Sequence, residues 1–477
     1  MVFSSLFFVF FFLALNLIAY NFASTIKQKN MVMLVFSLIF YSWGEPKYLL
    51  LLVSMVFASW IFALLIYQYQ DTKWSKIFLI SDCVVMLGLL GFFKYLNFFA
   101  GITNSLFHLP KEVPQIVLPI GISFYTFQLL SYVIDVYRQE IKPQEKFSYL
   151  LLYASLFHQC IAGPIVRYQL VAEEIENRRV TLDEMCRGIK RFATGLAKKA
   201  ILANGCASVA DTLLPLVSKD LATIPAAGIW IGLLFYALQI YLDFSAYSDM
   251  AIGMGLMIGF HYDENFNYPY IANSIKDFWR RWHISLSSFF RDYVYIPLGG
   301  SRRGPRRTTI NLLVVWGLTG FWHGASWNYI FWGLYFFVFI FMENRFLTKK
   351  LAQLPSFVSH IYAMIVVYFG WALFRCESLG TLGTLFKGMF GLNKNGFMNA
   401  STSIVIQNNI FLLIFCIIAS TPILKNLGSY IKRLHLVNHR IPHIVYAYDM
   451  IMPAVLLILS TLALVGNSYN PFLYFQF

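Results

Sequence analysis

Apolar runs of about 20 residues, separated by short polar loops, recur along most of the chain. A helix of that length crosses the hydrocarbon layer of a bilayer. The first five runs predict spanning helices over Val2–Ala23, Met31–Trp43, Tyr48–Tyr67, Ile77–Phe99 and Ile116–Tyr137. Later runs predict helices over Ala226–Phe260, Phe357–Phe374, Ile404–Ala419 and Val445–Val465, and two segments within Ile310–Phe341 joined near Gly324. The predicted class is an all-α polytopic membrane protein.

Three segments interrupt this pattern. Phe147–Ala162 is apolar but short and contains His158; the Gly163-Pro164 pair that follows breaks a helix, so this segment is either re-entrant or spanning. Arg167–Lys199 carries both charge signs, which fits a solvated surface helix as well as a membrane-surface or substrate-facing one. Lys276–Gly304 cannot span a bilayer because charged side chains interrupt it, namely Arg280, Arg281, Arg291 and Asp292.

Composition agrees with a membrane protein. The 477 residues are 58% hydrophobic and 13% charged, whereas soluble domains carry about a quarter charged residues. The net charge of +14 arises from lysines and arginines in short loops, as cytoplasmic loops have, so no nucleic-acid partner is expected. The six cysteines are scattered without a C-x-x-C pair, which predicts neither a disulfide framework nor a metal site.

The basic loops also predict a topology. Lys27/Lys29, Lys73/Lys76 and Lys142/Lys146 fall on alternate loops, which would be cytoplasmic. No basic residue precedes the first run, so it is interpreted as a retained span with its N-terminus outside rather than a signal peptide. The arginines at 302, 303, 306 and 307 place that loop inside, and the basic loop before the last span places the C-terminus outside.

Two histidines lie in the most unusual sequence of the chain. His283 ends Asp-Phe-Trp-Arg-Arg-Trp-His (277–283), and His323 lies in Gly-Phe-Trp-His-Gly (320–324). Ionisable groups at membrane depth are costly and usually functional, and an imidazole suits general base catalysis near neutral pH. The alternatives are a structural hydrogen bond for His323 and an interfacial anchor for His283.

Other polar residues nearby are candidates for a cavity or donor site. Trp279, Arg280, Arg281 and Trp322 either anchor an interface or form a cytoplasmic mouth where arginine holds phosphates. Asp243 and Asp249 lie within one helix and point about 120° apart at 3.6 residues per turn, so a shared metal site is not expected. They are interpreted as cavity-lining or helix-pairing groups.

Several motifs, in order along the chain, resemble the membrane-bound O-acyltransferase family, and within it the bacterial alginate O-acetylase and peptidoglycan O-acetyltransferase group. They are Tyr-Leu-Asp-Phe-Ser-Ala-Tyr-Ser-Asp-Met-Ala (241–251), Glu-Asn-Phe (264–266), Asp-Phe-Trp-Arg-Arg-Trp-His-Ile-Ser-Leu (277–286), Leu-Gly-Gly (298–300) and Phe-Trp-His-Gly-Ala (321–325). The likeness extends nearly end to end and departs from the family pattern at neither histidine.

The resemblance implies one integral membrane domain over residues 1–477, with its core motifs at about 116–345 and an aromatic tail at 470–477. It implies a ring of about 10 to 12 transmembrane helices, with re-entrant and amphipathic segments, around a central funnel or tunnel. In the family, acetyl from cytoplasmic acetyl-CoA passes through this cavity toward a polymer outside. The resemblance implies catalysis by His323 and His283, no bound cofactor, and location in the bacterial inner membrane.

The C-terminal sequence Phe-Leu-Tyr-Phe-Gln-Phe (472–477) is similar to the aromatic tail of this group, whose tyrosine resembles the acyl-carrying tyrosine of a small partner in teichoic-acid D-alanylation. One hypothesis is that Tyr474 takes the acetyl group and presents it to an extracytoplasmic O-acetyltransferase partner. The other is an aromatic anchor at the lipid interface.

Two other classes remain open from the sequence alone. A transporter for an acyl donor or glycan would also place polar groups at the midplane, although no internal repeat is visible. A non-catalytic scaffold of a polysaccharide export complex would need neither histidine. No G-x-S-x-G or H-E-x-x-H sequence is present, so serine hydrolase and zinc protease chemistry have no support.

Overall fold

The structure is a computed structural model that describes residues 1–107, 116–161, 163–435, 441–466 and 469–471. All regular elements within these ranges are helical. The α-helices are α1 Leu13–Phe22, α2 Ile26–Gly44, α3 Pro46–Gln68, α4 Lys73–Phe107, α5 Ile122–Tyr137, α6 Phe147–Ser155, α7 Phe157–Cys160, α8 Tyr168–Glu176, α9 Leu182–Ala197, α10 Asn204–Leu213, α11 Ser218–Leu221, α12 Ala226–Ile258, α13 Ile275–Arg281, α14 Ile284–Phe290, α15 Gly304–His323, α16 Trp327–Met342, α17 Thr348–Gln353, α18 Ser356–Arg375, α19 Leu379–Met389, α20 Ala400–Asn408, α21 Ile410–Ala419, α22 Ile423–His435 and α23 Ile441–Gly466.

Six helices in the described ranges are long and apolar enough to cross a membrane. A seventh is counted if α20 and α21, which meet at an angle of 51°, form one broken span. The all-α, multi-pass class predicted from the sequence is confirmed. The ring of about 10 to 12 spans stays a prediction, because the described residues contain six or seven helices of spanning length and one shorter apolar helix, Phe8–Phe22. The six are Pro46–Gln68, Lys73–Phe107, Ala226–Ile258, Trp327–Gln353, Ser356–Arg375 and Tyr448–Gly466.

The segments that interrupt the apolar pattern form short helices. Phe147–Ala162 contains α6 and α7, with a break at Leu156, and the re-entrant interpretation stays a prediction. The charged stretch from 167 to 199 contains α8 and α9 and runs into a π-helical turn over Lys198–Ala203. Residues 276–304 form no spanning helix, as predicted: α13 and α14 are seven residues each and are followed by a π-helical turn over Arg291–Tyr295.

The chain divides into two compact units. The first contains residues 1–192 and 250–263, and the second contains residues 193–249 and 264–477. The long helix α12 therefore contributes its N-terminal part to the second unit and its C-terminal part to the first. The prediction of a single domain over the whole chain stays a prediction.

Arg178 ties several segments of the first unit together. Its side chain is buried, and its Nε donates to the Tyr20 hydroxyl and to the Ile258 carbonyl, both at 3.0 Å. Its Nη1 donates to Asn30 Oδ1 at 2.6 Å. A buried charge is tolerated only when it is well hydrogen-bonded, so these contacts hold the ends of α1, α2 and α12 against the loop after α8.

The second unit is built around an aromatic core. The rings of Trp279, Trp316, Trp332 and Phe336 pack mostly edge to face, with centroids 4.9 to 6.4 Å apart. The buried Glu343 carboxylate accepts the first main-chain N–H groups of α13, from Ile275 at 2.6 Å. A carboxylate at a helix N-terminus accepts from main-chain N–H groups that have no partner within the helix, and its negative charge interacts favourably with the helix dipole. Glu343 therefore holds α13 in place.

Candidate functional site

A cavity of about 500 Å³ lies within the second unit, and both predicted histidines line it. His283 is 1% exposed and His323 is 6% exposed. Trp279 and Arg280 also line this cavity. The structure therefore brings together four of the residues that the sequence singled out, from α13, from the turn after it and from the end of α15.

His283 occupies the turn between α13 and α14. Its main chain has φ of 43°, in the left-handed region that residues other than glycine rarely adopt. Such conformations persist where neighbouring contacts enforce them, often at functional sites. Here the main chain of Asn265 accepts from Ile284 N at 3.0 Å, and Asn267 N donates to Arg281 O at 2.9 Å, so the 265–267 segment holds the turn on both sides.

The side chain of Asn265 contacts both His283 and Ser285. The Oδ1 atom of Asn265 lies 3.2 Å from His283 Nδ1 and accepts from Ser285 N at 3.1 Å and Ser285 Oγ at 2.9 Å. The Nδ2 atom of Asn265 donates to Ser248 Oγ at 3.3 Å. Burial lowers the pKa of His283 to about 3, so the imidazole is neutral at physiological pH.

His323 is the last residue of α15, and its ring is enclosed by aromatic side chains. The ring centroids of Trp322, Trp332 and Phe374 lie 4.9, 4.9 and 5.2 Å from that of His323. Trp322 also lies 6.0 Å from the His283 ring but does not itself line the cavity. Water is therefore kept from His323 on these sides, which suits a reaction that competes with hydrolysis.

The cavity has a cationic end. Arg280 and Arg291 are exposed and Lys276 is half-buried, in contrast to the two buried histidines. Lys276 Nζ donates to Asn344 Oδ1 at 3.1 Å and to Thr348 Oγ1 at 2.9 Å. A second cavity of about 420 Å³ shares Lys276 and Arg280, and a third of about 320 Å³ shares Asn344. An anionic ligand would meet these cations before it reached the histidines.

The other predicted cavity residues lie elsewhere. Arg281 does not line the cavity: its Nε contacts both carboxylate oxygens of Asp277 at 3.1 Å. Asp243 and Asp249 pair with Lys199 and Lys198, both at 2.7 Å, and also lie outside the lining. Of the two roles predicted for these aspartates, the geometry supports pairing between helical segments. A donor-binding role for Arg281 has no support in the lining of this cavity.

The last described residues lie along α10 and the π-helical turn before it. Tyr469 donates to Asp211, Asn470 Oδ1 accepts from Asn204 Nδ2 at 3.1 Å, and the Pro471 carbonyl accepts from Lys199. These partners become more buried in that order: Asp211 is half-buried, Asn204 is 5% exposed and Lys199 is 2% exposed. The predicted acyl carrier Tyr474 lies outside the described residues.

Several residues of the site were missed by sequence reasoning. Lys276 and Arg291 line the cavity, and Asn265 contacts His283, yet none was assigned a role. For Asn265 a signal was present, because it lies in the Glu-Asn-Phe motif. His158, the histidine of the interrupted segment, is buried in the first unit with Nδ1 3.5 Å from the Tyr262 hydroxyl.

A second unexpected histidine lies at the surface of the first unit. His261 Nδ1 is 2.6 Å from Glu174 Oε1, and its Nε2 is 3.1 Å from Glu184 Oε1. Partial burial alone would lower the pKa of His261, but hydrogen bonds and charge from the two carboxylates raise it above its usual value. The His261 ring therefore joins α8 to α9 through its contacts with both carboxylates.

The fold and this cavity describe a multi-pass membrane protein with a cavity lined by two buried histidines. The sequence profile of the membrane-bound O-acyltransferase family matches residues 146–384. The chain belongs to this family and is an acyltransferase enzyme.

Three members of related enzyme groups show which proteins this chain resembles. The chain is 35% identical to a protein of Azotobacter vinelandii named probable alginate O-acetylase AlgI, over the full length of both. It is 34% identical to the peptidoglycan O-acetyltransferase of Helicobacter pylori, over 82% of this chain and 80% of the relative. It is 29% identical to the teichoic acid D-alanyltransferase of Bacillus subtilis, over 54% of this chain and 67% of that protein.

Proposed function

We propose that this acyltransferase moves acetyl groups from cytoplasmic acetyl-CoA, across the bacterial inner membrane, to an exported or cell-wall polysaccharide such as an alginate-like polymer or peptidoglycan. The names of the relatives with full or nearly full coverage support acetyl as the group and a polysaccharide as the acceptor. The observation that carries the proposal is that one cavity is lined by two buried histidines and by three cationic side chains.

The donor would enter at the cationic end. Coenzyme A carries several phosphate groups, and arginine and lysine bind phosphate with charge-assisted hydrogen bonds. Arg280, Arg291 and Lys276 are the cations that line the cavity there. Ser301 and Gly304 line the adjoining 320 Å³ cavity and belong to the arginine-rich loop that the positive-inside rule assigns to the cytoplasm. That loop supports donor entry from the cytoplasm.

The chemistry at the histidines would be acyl transfer with general base catalysis. An imidazole nitrogen takes the proton of the acceptor hydroxyl as its oxygen forms a bond to the thioester carbonyl carbon. The carbon–sulfur bond then breaks, and the thiolate leaves and takes up a proton. We assign the base to His323, enclosed by aromatic rings, and a supporting role in the same cavity to His283.

The acceptor in the first transfer would be Tyr474, with an extracytoplasmic O-acetyltransferase partner receiving acetyl from it. The contacts of residues 469–471 support this order, because they lead the chain along partners of increasing burial toward Lys199. The C-terminus would then be extracytoplasmic. The same tail used only as a membrane anchor would carry no acetyl group.

The proposal is tested in proteoliposomes given isotope-labelled acetyl-CoA on the cytoplasmic face. His323→Ala is expected to lower transfer by at least about 100-fold, the usual scale of a lost general base. His360→Ala is the matched control, because its imidazole bonds to the Ala272 carbonyl and does not line the cavity. Full acetyl transfer by His323→Ala would overturn the catalytic proposal and favour a transporter or scaffold.

Intact-mass analysis of the same samples tests the carrier. The wild-type C-terminal peptide should gain one acetyl group, and Tyr474→Phe should gain none while keeping the aromatic anchor. If Tyr474→Phe supports full acetylation of the added polysaccharide and partner, the carrier role is excluded and the enzyme remains.

A further inference from the structure

The side-chain oxygen of Asn265 lies next to His283 and within hydrogen-bond distance of three nitrogen or oxygen atoms. Asn265 Oδ1 lies 3.1 Å from Ser285 N, 2.9 Å from Ser285 Oγ and 3.2 Å from His283 Nδ1. Asn265 is 1% exposed, so solvent does not compete for these contacts.

The orientation of the Asn265 amide follows from a main-chain group. Oxygen and nitrogen of an asparagine side chain are assigned from their partners, and a main-chain N–H can only donate. The atom facing Ser285 N must therefore be the oxygen. The Nδ2 atom then faces Ser248 Oγ at 3.3 Å, where a hydroxyl can accept.

This orientation decides the tautomer of His283. A carbonyl oxygen has no hydrogen to give, so the imidazole nitrogen beside it must carry one. In a neutral imidazole only one nitrogen is protonated, and the lone pair then lies on the other, Nε2. Burial keeps this ring neutral, since it lowers the pKa of His283 to about 3.

We propose that Asn265 is a positioning residue that holds the cavity-lining His283 as the Nδ1–H tautomer, with the ring lone pair on Nε2. This inference rests on the proposed acyl transfer. With the opposite tautomer, Nε2 would donate a hydrogen bond and could not accept one, which would change how His283 supports the proposed base His323. The main-chain carbonyl of Asn265 also accepts from Ile284 N, and this hydrogen bond helps to fix the turn that carries His283.

Other described neighbours of His283 include the Ser285 hydroxyl and two phenylalanine rings. Ser285 Oγ, at 3.4 Å from Nδ1, itself donates to Asn265 Oδ1 and so accepts from the same N–H. Phe244 and Phe266 cover the ring with centroids 4.7 and 6.5 Å away. The other ionisable side chains that line the cavity are His323, Lys276, Arg280, Arg291 and Tyr295.

The tautomer can be measured without any reaction. Nitrogen NMR of ¹⁵N-histidine-labelled protein distinguishes protonated from unprotonated ring nitrogens, and the His283 signals are identified by their loss in His283→Gln. Wild type should show Nδ1 protonated and Nε2 bare, and Asn265→Ala should show a mixture or the reverse. An unchanged Nδ1–H tautomer in Asn265→Ala would overturn the proposal, whatever its activity.

Kinetics provide the second readout. Asn265→Ala is expected to lower kcat by about 10- to 100-fold, the scale on which partners that orient an imidazole act. Asn265→Asp keeps an acceptor for both Nδ1 and Ser285 N and should recover activity at high pH. Ser248→Ala is the matched control, because it removes only the partner of Nδ2 and should leave kcat and the tautomer near wild type.

Asn265→Asp should also change the pH profile in a defined direction. A carboxylate beside His283 raises its pKa, so the neutral form of His283 would be lost at a higher pH than in wild type, and the acidic limb of the kcat profile would move to higher pH. If Asn265 had a purely structural role, kcat would fall equally in Asn265→Ala and Asn265→Asp, and the acidic limb of the kcat profile would stay at the wild-type pH. The two proposals can fail separately. If NMR shows the Nδ1–H tautomer of His283 in wild type and its loss in Asn265→Ala, but the wild-type protein transfers no acetyl group from any donor, the proposed function is wrong and the tautomer inference holds.

Discussion

Two adjacent arginines of α13 have different surroundings because their side chains leave the helix in different directions. Arg280 and Arg281 are one position apart near the end of α13, so their side chains leave the helix about 100° apart. Arg280 lines the cavity, whereas Arg281 is held by Asp277 and by the Asn267 carbonyl at 3.2 Å. The sequence assigned both to the same role, because it shows their charge and not their direction.

Exchanging each arginine for glutamine separates their functions. Arg280→Gln should raise the KM for acetyl-CoA by about tenfold with little change in kcat, since it removes a charge-assisted contact to phosphate. Arg281→Gln is the control and should leave that KM near wild type. Initial rates in proteoliposomes across a range of donor concentrations provide the measurement. A larger KM effect for Arg281→Gln would contradict the assignment.

The candidate site was partly visible in the sequence at this scale. His283, His323 and Trp279 were chosen because of their unusual residue types, and all line the cavity. Asn265 and Lys276 were missed because an asparagine or lysine in a loop or helix end is ordinary. Their importance comes only from what lies opposite them in space.

At the scale of elements, the site depends on a close crossing of α15 and α16. A Cβ added at Gly320 would lie 2.3 Å from the Tyr329 carbonyl oxygen, and one added at Gly333 would lie 2.3 Å from that of Trp316. Neither glycine has positive φ, so close approach alone explains why a larger residue does not fit. This crossing positions the end of α15, where His323 lies.

Gly320→Ala should therefore destabilise the protein by about 1–3 kcal/mol, as overpacking in a close contact does. Gly317→Ala, on the same helix, is the matched control because no atom lies within 4 Å of its added Cβ. Thermal unfolding in detergent compares the two. Equal melting temperatures for both variants would show that the crossing tolerates a methyl group.

The element boundaries were predicted well for some long apolar runs and less well for others, because α4 extends over Lys73–Phe107, beyond the predicted Ile77–Phe99. The spanning helices α3, α12 and α18 begin and end within about two residues of the sequence prediction. The break at Leu156 between α6 and α7 was not placed, nor was the bend of 51° between α20 and α21. Such breaks depend on tertiary contacts more than on local hydrophobicity.

For the whole molecule, the distribution of basic residues predicts a topology that labelling can test. In a Cys186→Ser background, Ser301→Cys should react with a membrane-impermeant maleimide only after spheroplasts are permeabilised. A cysteine appended after Phe477 should react in intact spheroplasts. Cys186 is replaced because it is exposed, while Cys160, Cys206, Cys376 and Cys416 are buried. Labelling of the appended cysteine only after permeabilisation would place the C-terminus in the cytoplasm.

The sequence alone determined the membrane class, the long spans and the family, because apolar runs and ordered motifs are local properties that survive without a fold. It also selected the two histidines. The tertiary structure decided which side chains share the cavity with them, Arg280 and not Arg281, and made Asn265 the partner of His283. It also paired Lys199 with Asp243 outside that cavity. These contacts join residues that are far apart in the chain. Hydrophobic pattern and spacing are local properties and do not specify which distant residues come into contact.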